Sequence, residues 1–79
     1  MKIYINLIGH LYKYMPSIVT GRNAPLQVKD GCTVKELVAE LGIPVDLPKL
    51  ISVNETLVKS DHVIKDSDQV KIIPPVGGG

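Results

Sequence analysis

The chain has 79 residues, of which 44% are hydrophobic and 22% are charged, and its formal net charge is +1. This balance predicts one small globular domain and argues against intrinsic disorder, and the small net charge gives no long-range field that would attract nucleic acid. The chain has one cysteine, so it cannot form an internal disulfide, and this cysteine has no Cys or His partner at the spacing of common metal sites. A single cysteine favours a reducing, cytoplasmic setting. No apolar run approaches the ~20 residues that span a membrane.

The N-terminal third predicts two strands joined by a long connection. Apolar residues occupy every second position near the N-terminus, which is the period of a half-buried strand: Ile3, Ile5 and Leu7. Residues 9–23 lack clean periodicity and predict the connection. Three of its side chains are expected to pack back onto the domain: Tyr12, Tyr14 and Met15. Leu26 and Val28 alternate with polar residues and predict the second strand.

The clearest local signal is a capped helix over residues 34–41. Thr33 is a favourable N-cap, and Glu36 stands three residues later, which is the pattern of a capping box. Four apolar residues then lie on one face of a helix: Val34, Leu37, Val38 and Leu41. Gly42 suits the position just after the helix, and Ile43 suits the apolar contact that closes such an end. We expect the apolar stripe to pack against a sheet.

The remaining residues predict three further strands: 50–53, 56–58 and 69–73. The first two are joined by a turn over residues 54–55, and residues 66–68 form a second turn whose side-chain oxygens can cap backbone N–H groups. Between these turns, Val63 and Ile64 are expected to fill the core. The order of elements predicts an α+β domain over residues 1–73, with one main helix on one face of a mixed sheet of four to five strands. We expect the first and last strands to lie side by side at the centre of the sheet.

Residues 74–79 form a tail in which two prolines and a valine precede three glycines. Pro74 and Pro75 cannot donate a backbone hydrogen bond, so they should end the last strand and stiffen the exit. The glycines have no side chain, so they can enter a channel that is too narrow for other residues. Because a bare carboxylate stands at the tip, we interpret Gly79 as the reactive group. The alternative interpretation is a frayed end or an expression remnant.

Four stretches resemble the MoaD/ThiS family of ubiquitin-like sulfur carriers: residues 31–37, 52–58, 66–70 and 74–79. They read Gly-Cys-Thr-Val-Lys-Glu-Leu, Ser-Val-Asn-Glu-Thr-Leu-Val, Asp-Ser-Asp-Gln-Val and Pro-Pro-Val-Gly-Gly-Gly. The resemblance covers essentially the whole chain, and the ending and the long first connection are most similar to the small subunit of molybdopterin synthase. It implies a β-grasp fold, which is the arrangement found in ubiquitin.

The resemblance also implies a definite chemistry and definite partners. An E1-like enzyme would use ATP to adenylate the Gly79 carboxylate, and a persulfide donor would supply the sulfur that converts it to a thiocarboxylate. The sulfur would then pass to the large subunit of molybdopterin synthase or to another accepting enzyme. Gly77 and Gly78 would lie in the channel of the activating enzyme. The chain itself would bind no cofactor and would offer no catalytic residues, because it is a group carrier.

The end of the last strand and the first half of the tail are more apolar than a monomer needs at that place. We expect four residues there to dock on the partner enzymes: Ile73, Pro74, Pro75 and Val76. Ile72 and Ile73 stand where members of the family commonly have aromatic residues. The expected partner surface is therefore aliphatic.

Several alternatives stay open from the sequence. Related carriers serve thiamine, tungsten-cofactor or cysteine synthesis. A non-catalytic ubiquitin-like interaction module would not need its terminal carboxylate, and a protein-conjugation module would join that carboxylate to a lysine.

Cys32 could relay a persulfide but fits better as a small residue before the helix. Neither His10 nor His62 has a neighbour at ligand spacing. Without a basic groove, Tyr12 and Tyr14 favour packing over the stacking of nucleic-acid bases.

Overall fold

The computed structural model describes residues 1–14, 23–44 and 46–75, apart from the side chains of His10 and Tyr12. Its elements in chain order are strand β1 (Lys2–Leu7), a 3-10 helix (Gly9–Tyr14), strand β2 (Ala24–Gln27), helix α1 (Val34–Glu40) and strands β3 (Leu50–Val53), β4 (Thr56–Val58) and β5 (Gln69–Ile73). Each predicted strand and the predicted helix is confirmed, with small differences at the ends. The 3-10 helix lies inside the stretch predicted as a connection and was not expected.

The five strands form one mixed sheet in the order β2-β1-β5-β3-β4. β1 and β5 run parallel at its centre, with Tyr4 opposite Gln69 and Leu7 opposite Ile72, and the other pairs are antiparallel. The predicted central pairing of the first and last strands is therefore confirmed. One helix packed on one face of such a sheet is the β-grasp arrangement that the sequence predicts.

Successive strand residues point to opposite faces of the sheet. The core lies between α1 and the face that carries the buried set of these residues. Its largest fully buried side chains include Ile3, Ile5, Leu7, Leu11, Val34, Leu37, Ile64, Val70 and Ile72. We call this side of the sheet the core face and the opposite side the open face.

The 3-10 helix covers one end of the core. Leu11 is fully buried there, although the sequence analysis did not place it in the core. Tyr14 packs against the core, as predicted, and the Lys13 ammonium lies 5.3 Å from the centre of its ring in a cation–π contact. Met15 and the side chain of Tyr12 lie outside the described residues. The described tyrosine of this segment therefore serves packing.

The irregular segment after β4 fills the core with only one of its two predicted residues. Ile64 is fully buried, but Val63 is 49% exposed, so the prediction for Val63 was wrong. The reason is a short antiparallel bridge between Val63 and Thr33, beside which the Ile64 N–H donates to the Cys32 carbonyl at 2.8 Å. In such an extended pairing neighbouring side chains point to opposite sides, so only one of the two can reach the core.

Both ends of α1 carry the caps that the sequence predicts. The Glu36 N–H donates to the Thr33 hydroxyl at 3.2 Å, and the Thr33 N–H donates to the Glu36 carboxylate at 2.9 Å, which completes the capping box. At the other end Gly42 has a φ of +79°, and the N–H groups of Gly42 and Ile43 donate to carbonyls of the last turn. This Schellman ending needs the left-handed backbone that glycine adopts without strain.

A hydrogen-bonded cluster joins the turn between β3 and β4 to the start of β5. Asn54 has a φ of +52° in that turn, and its side-chain amide donates to the Asp68 carboxylate at 2.9 Å. The side-chain oxygen of Asn54 accepts from the Gln69 N–H at 3.0 Å, and Asp68 also accepts from the Lys65 N–H at 2.8 Å. The predicted capping role of the second turn is confirmed, and the polar residues of two family-like stretches serve the fold.

The carboxyl group of Glu36 generates a prediction about pH. The Lys29 ammonium lies 2.6 Å from it, and this hydrogen bond, together with the one from the Thr33 N–H, lowers the pKa of Glu36 from 4.5 to about 2. Its contribution to stability is therefore complete above pH 4.5 and is lost as the pH falls from 4.5 towards 2. We expect the difference in unfolding free energy between the wild type and Glu36→Gln to shrink over that interval, as measured by urea unfolding.

Glutamine keeps the geometry of the capping box but removes the charge, so the substitution isolates the ionic contribution. Glu40→Gln, which neutralises an exposed carboxylate one turn further along α1, is the matched control. A difference between Glu36→Gln and the wild type of equal size at neutral pH and at about pH 2 would contradict the prediction.

Candidate functional site

The predicted working end of the chain begins where β5 ends, at Ile73. Pro74 is half-buried and Pro75 is exposed, so the chain leaves the sheet over these two residues, as predicted. Residues 76–79, which contain the predicted channel glycines and the predicted reactive carboxylate, lie outside the described residues, and their roles stay predictions. The structure describes the base from which this tail starts.

The base of the tail is held against the end of β1. The Ile8 N–H donates to the Ile72 carbonyl at 3.0 Å, just beyond the last residue of β1. The next residue, Gly9, has a φ of +60°, and a Cβ built on it would lie 3.3 Å from Cγ of Pro74. Because parallel strands run in the same direction, β1 and β5 end at the same edge of the sheet. The tail therefore leaves beside the start of the 3-10 helix.

The two neighbouring isoleucines of β5 point to opposite faces of the sheet. Ile72 is 0% exposed on the core face, so the expectation that it contributes to a partner surface was wrong. Ile73 is half-buried on the open face, where a partner can reach it. The two-residue period of a strand requires this division.

Two further apolar side chains accompany Ile73 on the open face. Leu50 is 42% exposed and stands directly opposite Ile73 in the register of β3 and β5. Leu57 is 65% exposed and stands opposite Ser52, which places it diagonally beside Leu50. We call Leu50, Leu57 and Ile73 the apolar patch. It lies next to the base of the tail, and contiguous exposed apolar groups mark candidate interaction surfaces.

Leu50 and Leu57 were not predicted from the sequence as part of a partner surface, although a signal for them existed. The turn over residues 54–55 fixes the register of the hairpin, so Leu57 must face the same side as Ser52 and Leu50. The sequence does not say which side of the hairpin is covered, because that depends on where α1 packs.

Polar groups border the apolar patch on the open face. Lys71 stands opposite Asn6 on β1 and opposite Ser52 on β3. Its ammonium lies 3.9 Å from the Glu55 carboxylate, and an ion pair this exposed contributes little to stability. A shallow polar depression is lined by Gln69 together with Asn6, Ser52, Glu55 and Lys71. The open face therefore combines an apolar centre with hydrogen-bonding groups around it, which is the usual layout of a protein interface.

The other residues whose side chains could react or bind a ligand lie where they contribute to the fold. Cys32 is buried, and burial raises the pKa of its thiol, which disfavours the thiolate that a persulfide relay needs. His62 is half-buried in the segment before Val63, and its carbonyl accepts from the Val34 N–H at 3.0 Å. Within residues 1–14, 23–44 and 46–75, no three His, Cys, Asp or Glu side chains are grouped as a metal site would require. Among the helices that the structure describes, none has the length and apolarity to cross a membrane.

Residues 16–79 match the model of the ThiS family. The molybdopterin synthase sulfur carrier subunit of Escherichia coli (strain K12) is 53% identical to this chain over 30 residues, which are 38% of this chain and 37% of that protein. That alignment thus spans little more than a third of the curated relative.

Solved structures share the whole fold. The molybdopterin converting factor, subunit 1, from Pyrococcus furiosus superposes with a TM-score of 0.71 over 96% of this chain and 99% of that chain, at 21% sequence identity. A chain in the complex of subunits 1 and 2 of the molybdopterin-converting factor from Helicobacter pylori 26695 superposes with a TM-score of 0.62 over 100% of both chains, at 25% identity. These similarities support the β-grasp fold that the family resemblance implied and that the order of the strands shows.

The two isoleucines of β5 provide a paired test of which face is free. Ile72→Asp would place a charge in the core, where loss of a large aliphatic side chain alone costs about 2–5 kcal/mol. Small domains are stable by only about 5–15 kcal/mol, so we expect Ile72→Asp not to fold. Ile73→Asp should cost about 1 kcal/mol, because its side chain faces the open side. Thermal unfolding followed by circular dichroism measures both variants, and an unfolded Ile73→Asp or a stable Ile72→Asp would contradict this orientation of β5.

Proposed function

The chain belongs to the ThiS family, and we propose that it works as a sulfur carrier whose C-terminal Gly79 is first activated and then bears the sulfur. The observation that carries the proposal is the uninterrupted run from the central strand β5 through Pro74 and Pro75 into three glycines, all within the matched range. The name of the Escherichia coli relative, a sulfur carrier subunit, supports the same role.

The proposed reaction makes the terminal carboxylate into an acyl donor. A carboxylate by itself is a poor acyl donor, because its leaving group would be oxide. On an E1-like enzyme, the Gly79 carboxylate attacks the α-phosphate of ATP and releases pyrophosphate, which leaves an acyl-adenylate. The terminal sulfur of a persulfide attacks the acyl carbon and displaces AMP, and a thiol then cleaves the acyl disulfide to give the thiocarboxylate.

In this reaction the chain supplies position and access rather than catalysis. The six residues of the tail contain no His, Cys, Lys, Asp or Glu, so proton transfer falls to the partner enzyme. Pro74 and Pro75 prevent the tail from continuing the strand, and six extended residues reach at most roughly 20 Å from the sheet. The glycines add no side-chain width at the tip, so the tail can enter a narrow channel.

Within the family, we propose molybdopterin synthesis as the pathway. The Escherichia coli relative is named for molybdopterin synthase, and in the Helicobacter pylori complex subunit 1 is bound to subunit 2 of a molybdopterin-converting factor. By analogy, the proposed acceptor of the sulfur is the large subunit of such a synthase. A carrier for thiamine, tungsten-cofactor or cysteine synthesis would use the same terminal chemistry with a different acceptor.

We assign the docking of the activating enzyme and of the acceptor to the open face beside the tail. The apolar patch, together with Pro74 and Pro75, would form the apolar centre of the interface, and Lys71 with its polar neighbours would form the rim. Because Ile73 directly precedes the tail, docking there would bring the tail to the reaction site of either partner. Val76 is expected to extend the apolar centre.

Changes at the tip test the working group. We expect the deletion of Gly79, the addition of one residue and Gly78→Val all to leave the fold intact but to lower thiocarboxylate formation by about 10²-fold. One residue changes the reach by roughly 3.3–3.6 Å, and a misplacement of ~1 Å can already cost about 10²-fold in rate. The measurement is ATP-dependent pyrophosphate release together with intact mass, with a candidate E1-like enzyme and a persulfide donor from the same organism.

Glu40→Gln, on the far side of the sheet from the apolar patch, is the control for this series. In the wild type, the expected product has one oxygen replaced by sulfur, whereas a bond to a lysine would indicate a conjugation module. If the shortened and extended tails are activated as fast as the native tail, Gly79 is not the working group and the carrier proposal is wrong.

Charges in the apolar patch test the docking surface. We expect Ile73→Asp and Leu57→Asp to raise the Kd for the large subunit of molybdopterin synthase about tenfold or more, since about 1.4 kcal/mol of lost binding energy is a factor of ten. Val63→Asp is the matched control, because it makes the same kind of change at an exposed apolar residue outside the open face. Isothermal titration calorimetry measures all three, and undiminished binding by a folded Ile73→Asp would refute the assignment.

A further inference from the structure

We propose that Gly9 is a positioning residue for the C-terminal tail: it leaves open the space that Pro74 occupies and so fixes the direction in which the tail leaves the sheet. The inference rests on the proposed role of the C-terminus as the working group. It concerns a residue at the other end of the chain, whose partner in space is the base of the tail.

The close approach of Gly9 and Pro74 is the first observation. Gly9 has a φ of +60°, and an added Cβ would lie 3.3 Å from Cγ and 3.9 Å from Cδ of Pro74, with no other atom of the described residues within 4 Å beyond its chain neighbours. A contact of 3.3 Å is tighter than nine in ten real Cβ contacts, so a Cβ here would move a neighbour by a few tenths of an ångström. Among the residues that the structure describes, the one that this Cβ would meet belongs to the tail.

The backbone on both sides of Gly9 is fixed, so Pro74 is the part that would move. On one side, the Ile8 N–H donates to the Ile72 carbonyl at 3.0 Å, where the two central strands of the sheet end. On the other side, the Leu11 N–H donates to the Ile8 carbonyl at 3.2 Å, and the Leu11 side chain is fully buried. Pro74 is only half-buried and has no N–H to hold it.

A displacement of Pro74 would also displace the residues that follow it. The rings of Pro74 and Pro75 both fix φ, so these two residues act as a stiff base for residues 76–79. The position and angle of this base decide where the Gly79 carboxylate can reach within an activating enzyme that is docked on the sheet.

A comparison with two other glycines indicates that position 9 needs glycine for more than its backbone conformation. Gly31 and Gly42 have φ values of +80° and +79°, and a Cβ on either would meet no atom of the described part of the chain within 4 Å. Their turns alone explain why glycine stands there. Gly9 shares the positive φ but also faces Pro74, and this makes Gly31 a matched control for backbone strain.

The experiment compares Gly9→Ala with Gly31→Ala, each in the native chain and in a Pro74→Ala background. Residual dipolar couplings of the N–H groups report the orientation of β5 and of residues 76–79. We expect Gly9→Ala to change the couplings of residues 76–79 in the native chain but not in the Pro74→Ala background, where the crowded ring atoms are gone. Gly31→Ala should leave these couplings unchanged in both backgrounds. Gly9→Asn is the second variant, because asparagine tolerates a positive φ better and carries the same Cβ.

The consequence for the reaction is measured separately, as pyrophosphate release with a candidate E1-like enzyme. We expect Gly9→Ala to lower kcat about tenfold, because a shift of ~1 Å can cost about 10²-fold. We expect KM for the carrier to change by less than about twofold, because the apolar patch is unchanged and Pro74 itself moves by only a few tenths of an ångström. Unchanged couplings in Gly9→Ala and Gly9→Asn, or equal changes with and without the Pro74 ring, would overturn the inference. A wild-type chain that no E1-like enzyme adenylates would refute the proposed function instead, and the couplings would still decide the role of Gly9.

Discussion

The parallel pairing of β1 with β5 is the constraint on which the rest of the structure depends. Parallel neighbours need a long crossover, and here the whole chain between the two strands provides it. Because parallel strands end at the same edge of the sheet, Ile8 and Gly9, which directly follow β1, lie beside the start of the tail at Pro74. An antiparallel arrangement would place these segments at opposite edges. The position of the base of the tail, Pro74 and Pro75, therefore follows from the topology of the sheet.

This topology separates the parts of the chain that hold the fold from those available for function. Thr33 and Glu36 cap the helix, and Asn54 and Asp68 tie the hairpin to β5. In the described part of the chain, no buried side-chain nitrogen or oxygen lacks a hydrogen-bond partner. These four polar residues of the family-like stretches thus serve the fold, whereas the open face beside Ile73 is not covered by any described element.

Chemically suggestive residues are therefore not reliable guides to function in this protein. Glu36 has a pKa lowered to about 2, but Lys29 and the Thr33 N–H cause that shift within a helix cap. Cys32 is the one thiol of the chain, yet it lies in the core, where burial raises its pKa. A carrier needs neither a base nor a nucleophilic side chain, because its partners supply the catalysis. What it needs is an accessible terminus and a surface that partners can bind.

The sequence by itself determined the elements whose signals are local. The capping box at Thr33, the glycine after α1 and the prolines after Ile73 act through neighbouring residues, so the ends of these elements could be predicted. Only the tertiary structure decided which face of the sheet is covered, and with it the burial of Ile72 and the exposure of Leu57. Periodicity divides strand residues into two sets but does not say which set packs against the helix. Contacts between distant residues, such as that of Gly9 with Pro74, depend on strand pairing, which no local pattern records.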